Sequence, residues 1–427
     1  MFSILLLLIL LIALIFLRLE IAFAIGVAAF LWLYMGDLSL MTGMQRVFGG
    51  LNLFTLLAVP FFLLAGEIMN RSEITEELIQ LANLTIGRVR GGLAQANVLA
   101  SLLFSGITGA ALADVAALGS VFVPAMEKEG YDADFSAALT AASSLVGPII
   151  PPSIIIVLYG AVTNTSIGGL FAAAIIPGLL LGLALMIQVG YMSRKHDFPK
   201  YEEDVSRQEI PSIIIYSSLA LTMPVIIIGG ILGGIFTPTE AAAIACVYGI
   251  FIGVFIMRTL SIKGIYDAVE VSFFRTGQLF IILGFATTLA YLLAIEQIPR
   301  RIASMLVDLG FGPIGFMLVA AVVLLFIGTW LDIGAALIIM APILTPIAME
   351  LAIHPFQFGI VMTVTLLFGL ITPPFGACLF VASSVSHVDV WDISKRIVPF
   401  YLADIIVLVL LIVFPPLTLW LPQVFGF

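Results

Sequence analysis

Charged residues are scarce in this sequence, and cysteine and histidine are scarcer still. Asp, Glu, Lys and Arg make up 10% of the 427 residues, and 62% are hydrophobic, whereas soluble domains carry about 25% charged residues. This composition excludes an ordinary soluble protein and indicates a polytopic membrane protein built from spans of about 20 apolar residues. The two cysteines, Cys246 and Cys378, lie far apart in apolar segments, so no disulfide framework is predicted. The net charge of −9 is spread over short loops, and no basic arm indicates a nucleic-acid partner.

Motifs of nucleotide, metal-dependent and serine hydrolysis are also missing. The sequence contains no GxxxxGK[ST], no HExxH and no GxSxG, and its three histidines lie near separate loops. Intramembrane proteolysis by two acids stays conceivable, because Asp114 and Asp332 are predicted to be the acids deepest in the membrane. Their neighbours form no recognisable acid pair, so the chain is predicted not to be an enzyme.

A break in the middle of an apolar segment organises the chain. Residues 147–153 contain three prolines and one glycine, and proline lacks the backbone N–H and clashes with the carbonyl four residues earlier. A single proline kink is common in membrane helices, but this device recurs at residues 372–376. Non-helical backbone persists at membrane depth where it is buried in protein or lines a cavity. Transporters coordinate ions and substrate at such broken helices.

The remaining segments divide into spans, interfacial helices and hairpins. Spans are predicted at residues 1–17, 21–35, 51–69, 167–192, 212–235, 240–257, 267–293 and 398–420. The first is predicted to be retained, because it has no basic n-region or cleavage site. The amphipathic segments 72–87 and 296–309 are predicted to lie along the interface. Residues 88–128 and 312–350 are interpreted as re-entrant hairpins of two short apolar arms, and 132–163 and 355–386 as broken helices.

These segments group into five regions. They are an N-terminal scaffold (1–87), a first transport region (88–193), a cytoplasmic loop (194–211), a second scaffold with its interfacial helix (212–310), and a second transport region with the last span (311–427).

The two halves are related by a shift of 222 residues. The shift superposes Gly106 on Gly328, Pro124 on Pro346, Gly147 on Gly369, Pro151-Pro152 on Pro373-Pro374, and Pro177 on Pro399. Five crossings are predicted between the hairpins, and an odd number inverts the second half. The predicted fold class is therefore an all-α polytopic membrane protein with two inverted-topology repeats, each holding a re-entrant hairpin and a broken helix.

Basic residues support this topology independently. With the central loop in the cytoplasm, thirteen Lys and Arg residues fall inside, and Arg46, Arg300 and Arg301 fall outside. Arg275 lies within a span near its inner end. The distribution satisfies the positive-inside rule and predicts that both termini are periplasmic.

The hairpin tips carry polar groups suited to a cation. Ser105, Thr108 and Ser120 supply hydroxyls, and the neighbouring glycines let carbonyl groups point inward. Such an oxygen-lined site of low charge suits a monovalent cation such as Na⁺. Small residues at a helix contact can instead serve close packing. That explanation suffices for one residue but not for two tips that each face a break.

Acids and helix ends add further candidates. Asp332 lies in the second tip and is predicted to contact substrate or ion, whereas Asp114 either contacts the ion or braces the site from behind. The helix N-termini after the breaks, near Ser153 and Gly376, present N–H groups that favour an anionic substrate. Glu67 and Glu240 are interpreted as structural.

Several motifs resemble the large membrane subunit of tripartite ATP-independent periplasmic (TRAP) transporters. They are residues 65–71 (AGEIMNR), 90–92 (RGG), 105–109 (SGITG), 113–120 (ADVAALGS), 147–153, 331–332, 341–346 (APILTP) and 372–374. The resemblance implies Na⁺-driven import of an organic acid by an elevator motion in a bacterial inner membrane. It also implies two partners, a small four-helix membrane subunit and a periplasmic substrate-binding protein.

The resemblance also implies site residues. One Na⁺ site is placed at Ser105, Gly106, Gly147 and Pro148, a second at Gly328, Gly369 and Thr372, and the substrate between them. The chain departs from many members at residues 18–20, at Thr329 and at residues 363–365, and the last two departures border the substrate cavity. The substrate candidates are Thr108, Ser153, Thr329, Asp332 and Gly376, with Asp114 and Ser120 supporting the site. Sialic acid and C4-dicarboxylates are the leading substrates, and sialic acid is preferred.

Two other classes remain open from the residues themselves. A channel needs a continuous polar pore, whereas the polar residues here cluster at two breaks. A non-transporting anchor subunit of a membrane complex gives no reason to duplicate broken helices. Solute uptake into vesicles distinguishes the three classes.

Overall fold

The computed structural model describes residues 10, 13–14, 17–72, 74–195, 198–199 and 210–427, without the side chains of residues 74, 75, 107 and 108. All regular structure in these ranges is helical. The nineteen α-helices are α1 (Ile21–Met35), α2 (Leu40–Leu51), α3 (Ala58–Arg71), α4 (Ile74–Ile86), α5 (Gly92–Thr108), α6 (Ala111–Lys128), α7 (Ala133–Ser143), α8 (Ile154–Thr163), α9 (Ile167–Lys195), α10 (Ile210–Leu232), α11 (Pro238–Phe251), α12 (Ile262–Ile295), α13 (Ile298–Asp308), α14 (Pro313–Trp330), α15 (Ile333–Glu350), α16 (Pro355–Gly369), α17 (Ala377–Ser386), α18 (Val390–Val413) and α19 (Pro416–Val424).

Most predicted segments coincide with helices of the structure. The two hairpins are the pairs α5–α6 and α14–α15, and each broken helix is present as two pieces, α7 with α8 and α16 with α17. In the described ranges, eight helical segments are long and apolar enough to cross a membrane. The all-α membrane fold is therefore confirmed. The predicted span 1–17 and the loop 194–211 lie largely outside the described residues.

Two segments of the sequence interpretation were wrong. Helix α2 was not predicted, because its glycines and polar residues interrupt the apolar run on which span prediction depends. The last span was predicted at 398–420, but α18 ends at Val413 and α19 starts at Pro416. The cause is the pair Pro415-Pro416, whose missing N–H groups cannot continue a helix.

Helices of the two halves pack reciprocally. Helix α6 packs against α17, and the equivalent pair α15 and α8 is also in contact. The pairs α7–α18 and α16–α9 repeat this relation. In each case the 222-residue shift maps one pair onto the other, which is the pattern expected of a duplicated unit. Each hairpin is thereby held against the broken helix of the other half as well as its own.

Candidate functional site

The first break, residues 147–153, is closed and internally tied. Ser153 caps α8, because its Oγ accepts a hydrogen bond from the N–H of Ile156 at 3.3 Å. The same hydroxyl donates to the carbonyl of Pro148. Ser153 is fully buried, and Gly147 and Pro148 are buried with it. Since its hydroxyl joins both sides of the break, Ser153 fixes the path of the non-helical backbone.

The first hairpin packs directly on this break. Asp114, fully buried on α6, lies against Gly147, where a Cβ atom would overlap its Oδ2 atom. A Cβ on Gly109 would lie 3.6 Å from the carbonyl oxygen of Pro152. Ser105 is 1% exposed at the end of α5, and its Oγ donates to the carbonyl of Leu102 at 2.5 Å. The structure therefore brings together the tip and the break that the sequence predicted to face each other.

A buried polar ladder aligns the first hairpin with α7. Asn97 on α5 donates to Thr140 Oγ1 at 2.7 Å and accepts from Ser143 at 3.5 Å. Ser101 donates to Ser143 Oγ at 2.8 Å. All four side chains are fully buried. The ladder fixes the rotation of α5, and with it the position of Ser105, relative to the break that follows α7.

Replacing Asn97 with alanine is expected to lower the stability of the fold. The change removes the two buried hydrogen bonds that Asn97 forms with Thr140 and Ser143. At about 0.5–1.5 kcal/mol each, their loss should cost about 1–3 kcal/mol. Thermal unfolding in detergent should show a lower midpoint. Ser120→Ala is the matched control, because that hydroxyl is exposed and bonds to Ala117 of its own helix. Equal midpoints for the two variants would contradict this role of the ladder.

The second break is more open than the first. Gly369 at the end of α16 contacts Gly328 of the second hairpin backbone to backbone, and a Cβ on Gly369 would lie 2.6 Å from the Gly328 Cα. Thr372 is half-buried and donates to the Phe368 carbonyl at 2.7 Å, while its Oγ1 lies 3.2 Å from the Tyr401 hydroxyl. Pro373 and Pro374, by contrast, are exposed.

Backbone N–H groups at this break are engaged within it. Gly376 donates to the carbonyl of Thr372 at 3.0 Å, and Cys378 donates to that of Leu370 at 3.0 Å. The sequence interpretation placed free N–H groups near Gly376, and for these two groups it was wrong. The physical reason is that the break closes a tight turn, which uses them internally.

The second tip presents its polar groups outward. Asp332 is exposed and caps α15, because its Oδ1 accepts from the N–H of Ala335 at 3.2 Å. Thr329 is half-buried and donates to the carbonyl of Phe326 at 2.7 Å. Trp330 lies over Phe375 of the break, with ring centres 4.2 Å apart. Tip and break therefore meet through an exposed aromatic pair as well as through their glycines.

One buried acid was overlooked in the sequence. The sequence interpretation named Asp114 and Asp332 as the deepest acids, but Asp332 is exposed and Asp404 on α18 is 1% exposed. The Oδ2 atom of Asp404 has no hydrogen-bond partner among the residues that the structure describes. Asp404 lies one turn beyond Tyr401, which contacts Thr372. The sequence did contain a signal for Asp404, because it is a lone acid inside the predicted span 398–420.

The other candidates occupy different environments. Ser120 is exposed and is not brought to the tip, and the side chain of Thr108 lies outside the described part of the chain. Tyr159 was missed although it is fully buried and joins the halves, donating to the Pro355 carbonyl at 3.1 Å and contacting Thr345 Oγ1 at 3.2 Å. An aromatic residue in an apolar run gave no sequence signal for this role.

Charged groups away from the breaks hold helices together. Glu67 lies 3.0 Å from Arg71 and 3.8 Å from Arg275, and Glu240 forms a capping box with Thr237. Both glutamates therefore make structural contacts, as the sequence interpretation expected. On α4, burial raises the pKa of Glu77, and the adjacent charge of Glu76 raises that pKa further.

Two hairpins, each packed on a broken helix in an all-helical membrane chain, define a membrane-transporter fold. The YdaH transporter of Alcanivorax borkumensis has a similar fold, with a TM-score of 0.61 over 87% of this chain and 86% of that one. At 17% sequence identity the likeness is one of fold alone.

Sequence comparison identifies the family. The chain belongs to the family of the DctM component of tripartite ATP-independent periplasmic transporters, whose family model matches residues 8–417. It is 39% identical over 381 residues to the large permease protein SiaM of the sialic acid TRAP transporter of Vibrio cholerae, covering 89% of each chain. It is 40% identical over 373 residues to the large permease protein DctM of the C4-dicarboxylate TRAP transporter of Pseudomonas aeruginosa, covering 87% of each. The family resemblance predicted from the motifs is confirmed.

Proposed function

We propose that this chain is the translocating subunit of a Na⁺-coupled TRAP transporter that imports a small organic acid. Family membership makes it a large permease subunit for organic acid transport. The observation that carries the finer proposal is the direct contact of each hairpin with a break, at Asp114–Gly147 and at Gly328–Gly369. Such tip-and-break contacts are where ion and substrate sites form in secondary transporters.

The oxygen atoms near both contacts suit Na⁺ as the coupling ion. Near the first contact, the Ser105 hydroxyl donates a hydrogen bond to the Leu102 carbonyl, so the lone pairs of its oxygen are able to coordinate a cation. Gly147 and Pro148 add backbone carbonyls. Near the second, Thr372 Oγ1 and the carbonyls of Gly328 and Gly369 form the candidate set. Hydroxyls and carbonyls are hard donors, and the carboxylate of Asp114 beside Gly147 adds an acidic group at the first contact. Oxygen donors with few charges fit a monovalent hard cation.

We propose that the organic acid binds between the two tips. Asp332 and Thr329 are accessible at the second tip, whereas Ser153 is committed to the first break. The two relatives, named for sialic acid and for C4-dicarboxylate, are similar to this chain to nearly the same degree. Sialic acid remains the preferred substrate, and transport measurements must decide between the two.

Partners and orientation follow the same proposal. A small membrane subunit and a periplasmic substrate-binding protein complete the transporter, and substrate moves by an elevator motion with both termini in the periplasm. The asymmetry of thirteen inner against three outer basic residues supports this orientation.

Uptake into proteoliposomes tests the proposal. With the small subunit and the binding protein supplied, labelled sialic acid is expected to accumulate only when an inward Na⁺ gradient is imposed. Parallel vesicles receive a labelled C4-dicarboxylate. Uptake that persists after K⁺ replaces Na⁺ would contradict the coupling. Downhill flux with neither accumulation nor saturation would indicate a channel, and no flux with any organic acid would favour an anchor subunit.

A further inference from the structure

A separate groove lies away from the tips and breaks. It has a volume of about 810 Å³ and is lined by one face of α2, one face of α12, the C-terminal end of α8 and Pro342 of α15. Ligand sites in proteins commonly measure about 300–1,000 Å³. We call it the Arg46 groove, after the charged residue in its wall. None of the residues predicted for the Na⁺ or substrate sites lines it.

The two long walls of the groove are matching helix faces. The α2 wall uses positions 42, 45, 46, 49 and 50, extended by Leu53 just beyond the end of the helix. The α12 wall uses 283, 286, 287, 290, 291 and 294. Both sets follow the spacing of one side of a helix. Small residues such as Gly49, Ala286 and Ala290 leave the open volume between the walls. The walls are pinned together, because Thr287 Oγ1 donates to the Arg46 carbonyl at 3.0 Å.

The groove carries one uncompensated positive charge. Arg46 is exposed, and its guanidinium carbon lies 4.2 Å from the centre of the Tyr291 ring. A cation–π contact orients the guanidinium but leaves its charge and most donors available. No acidic residue lines the groove, and within the described ranges Arg46 forms no ion pair. The remaining lining is apolar or neutral, with Gln45 and Asn164 supplying amides.

We infer that the Arg46 groove is a binding site for a small organic anion, separate from the tip-and-break site. The carboxylate lies at Arg46, and the body of the anion follows the walls of small residues. The expectation that this anion is a transported organic acid rests on the proposed function. The occupant touches α2 and α12 on one side. On the other side it touches α8, which follows the first break, and α15 of the second hairpin.

Thiol labelling at Gly49 tests the charge of the groove. A Cβ on Gly49 meets no atom within 4 Å, so Gly49→Cys is accommodated, and Arg46 lies one turn away. Methanethiosulfonates of negative and positive charge are compared with and without Arg46→Gln. Charges about 6 Å apart in water change each rate about threefold, so the anionic-to-cationic rate ratio should fall about tenfold. An unchanged ratio overturns the inference. The native cysteines are buried, and the unsubstituted chain supplies the blank.

Protection by anions tests binding. Sialic acid and succinate are each added without Na⁺, and the rate of Gly49→Cys labelling is measured. At least one of them should slow the labelling when Arg46 is present. Neither should slow it in the Arg46→Gln variant. N-acetylmannosamine, which lacks the carboxylate, should not protect. The control is Gly312→Cys, an exposed loop position with open space, whose labelling should respond to neither change. Absence of protection by both anions, or equal protection in Arg46→Gln, overturns the inference.

A third arm separates this inference from the proposed function. Asp332→Asn at the second tip keeps the cap of α15 and removes the carboxylate, so it should leave protection in the groove intact. Loss of protection there would mean that the anion binds at the tips, and would overturn a separate site. Protection without any Na⁺-driven uptake by the wild-type complex would sustain the groove and refute the proposed function.

Discussion

Alanine at Gly369 is expected to reduce Na⁺-driven uptake about 100-fold, since a displacement of about 1 Å in a preorganised site can cost that much. The added Cβ would overlap the backbone of Gly328 and lie 2.6 Å from its Cα. A rotamer change cannot relieve this overlap, because both groups belong to the main chain. The hairpin and the broken helix must therefore separate, and the carbonyl oxygens proposed to bind Na⁺ separate with them.

Initial uptake rates in proteoliposomes measure this effect. Gly328→Ala should act alike, because its Cβ would lie 2.5 Å from the carbonyl oxygen of Leu366. The matched control is Gly277→Ala on α12, where a Cβ meets open space and alanine favours the helix. Gel filtration must show that all three variants assemble. Uptake of Gly369→Ala within twofold of Gly277→Ala would refute the tip-and-break contact as the working site.

Backbone breaks are readable from the sequence because glycine and proline act locally. Residues 147–153 and 372–376 interrupt helices wherever they are placed in space, so both broken helices follow from the order of the residues alone. The hairpins are equally accessible, since arm lengths and small polar joints depend on the same local order. Helix α2 was not predicted, because Gly43, Gln45 and Arg46 interrupt its run of apolar residues.

The polar side chains of the site could not be deduced from the 222-residue shift that relates the two halves. The shift of 222 residues superposes Ser105 on Ile327, Asp114 on Ala336, and Ile150 on Thr372. The backbone breaks are thus repeated, but the chemistry around them is not. The exposure of individual side chains could not be predicted from the sequence either. Asp332 is exposed and Asp404 is buried because of packing between helices that are distant in sequence. The Arg46 groove depends on such packing too, since its walls meet through residues 46 and 287.

Replacing Asp332 with asparagine is expected to reduce Na⁺-driven uptake about 10- to 100-fold. This is the loss in rate expected when one hydrogen bond to a charged group is removed. Asp332 has two possible roles, since it caps α15 through Ala335 and also presents an exposed carboxylate at the second tip. Asparagine is as good an N-cap as aspartate. The substitution therefore keeps the cap and removes the charge, which isolates the proposed contact with substrate or ion.

A second acid in the chain supplies the control for capping. Asp389 caps α18, accepting from the N–H of Trp391 at 2.8 Å, and it is exposed as Asp332 is. Asp389→Ala should lower the unfolding free energy by about 1 kcal/mol and leave uptake near wild type. Asp332→Ala should lose both stability and uptake. The contrary result is transport at the wild-type rate by Asp332→Asn but not by Asp332→Ala. That result would show that Asp332 acts as a helix cap, and it would refute the proposed contact of its carboxylate with substrate or ion.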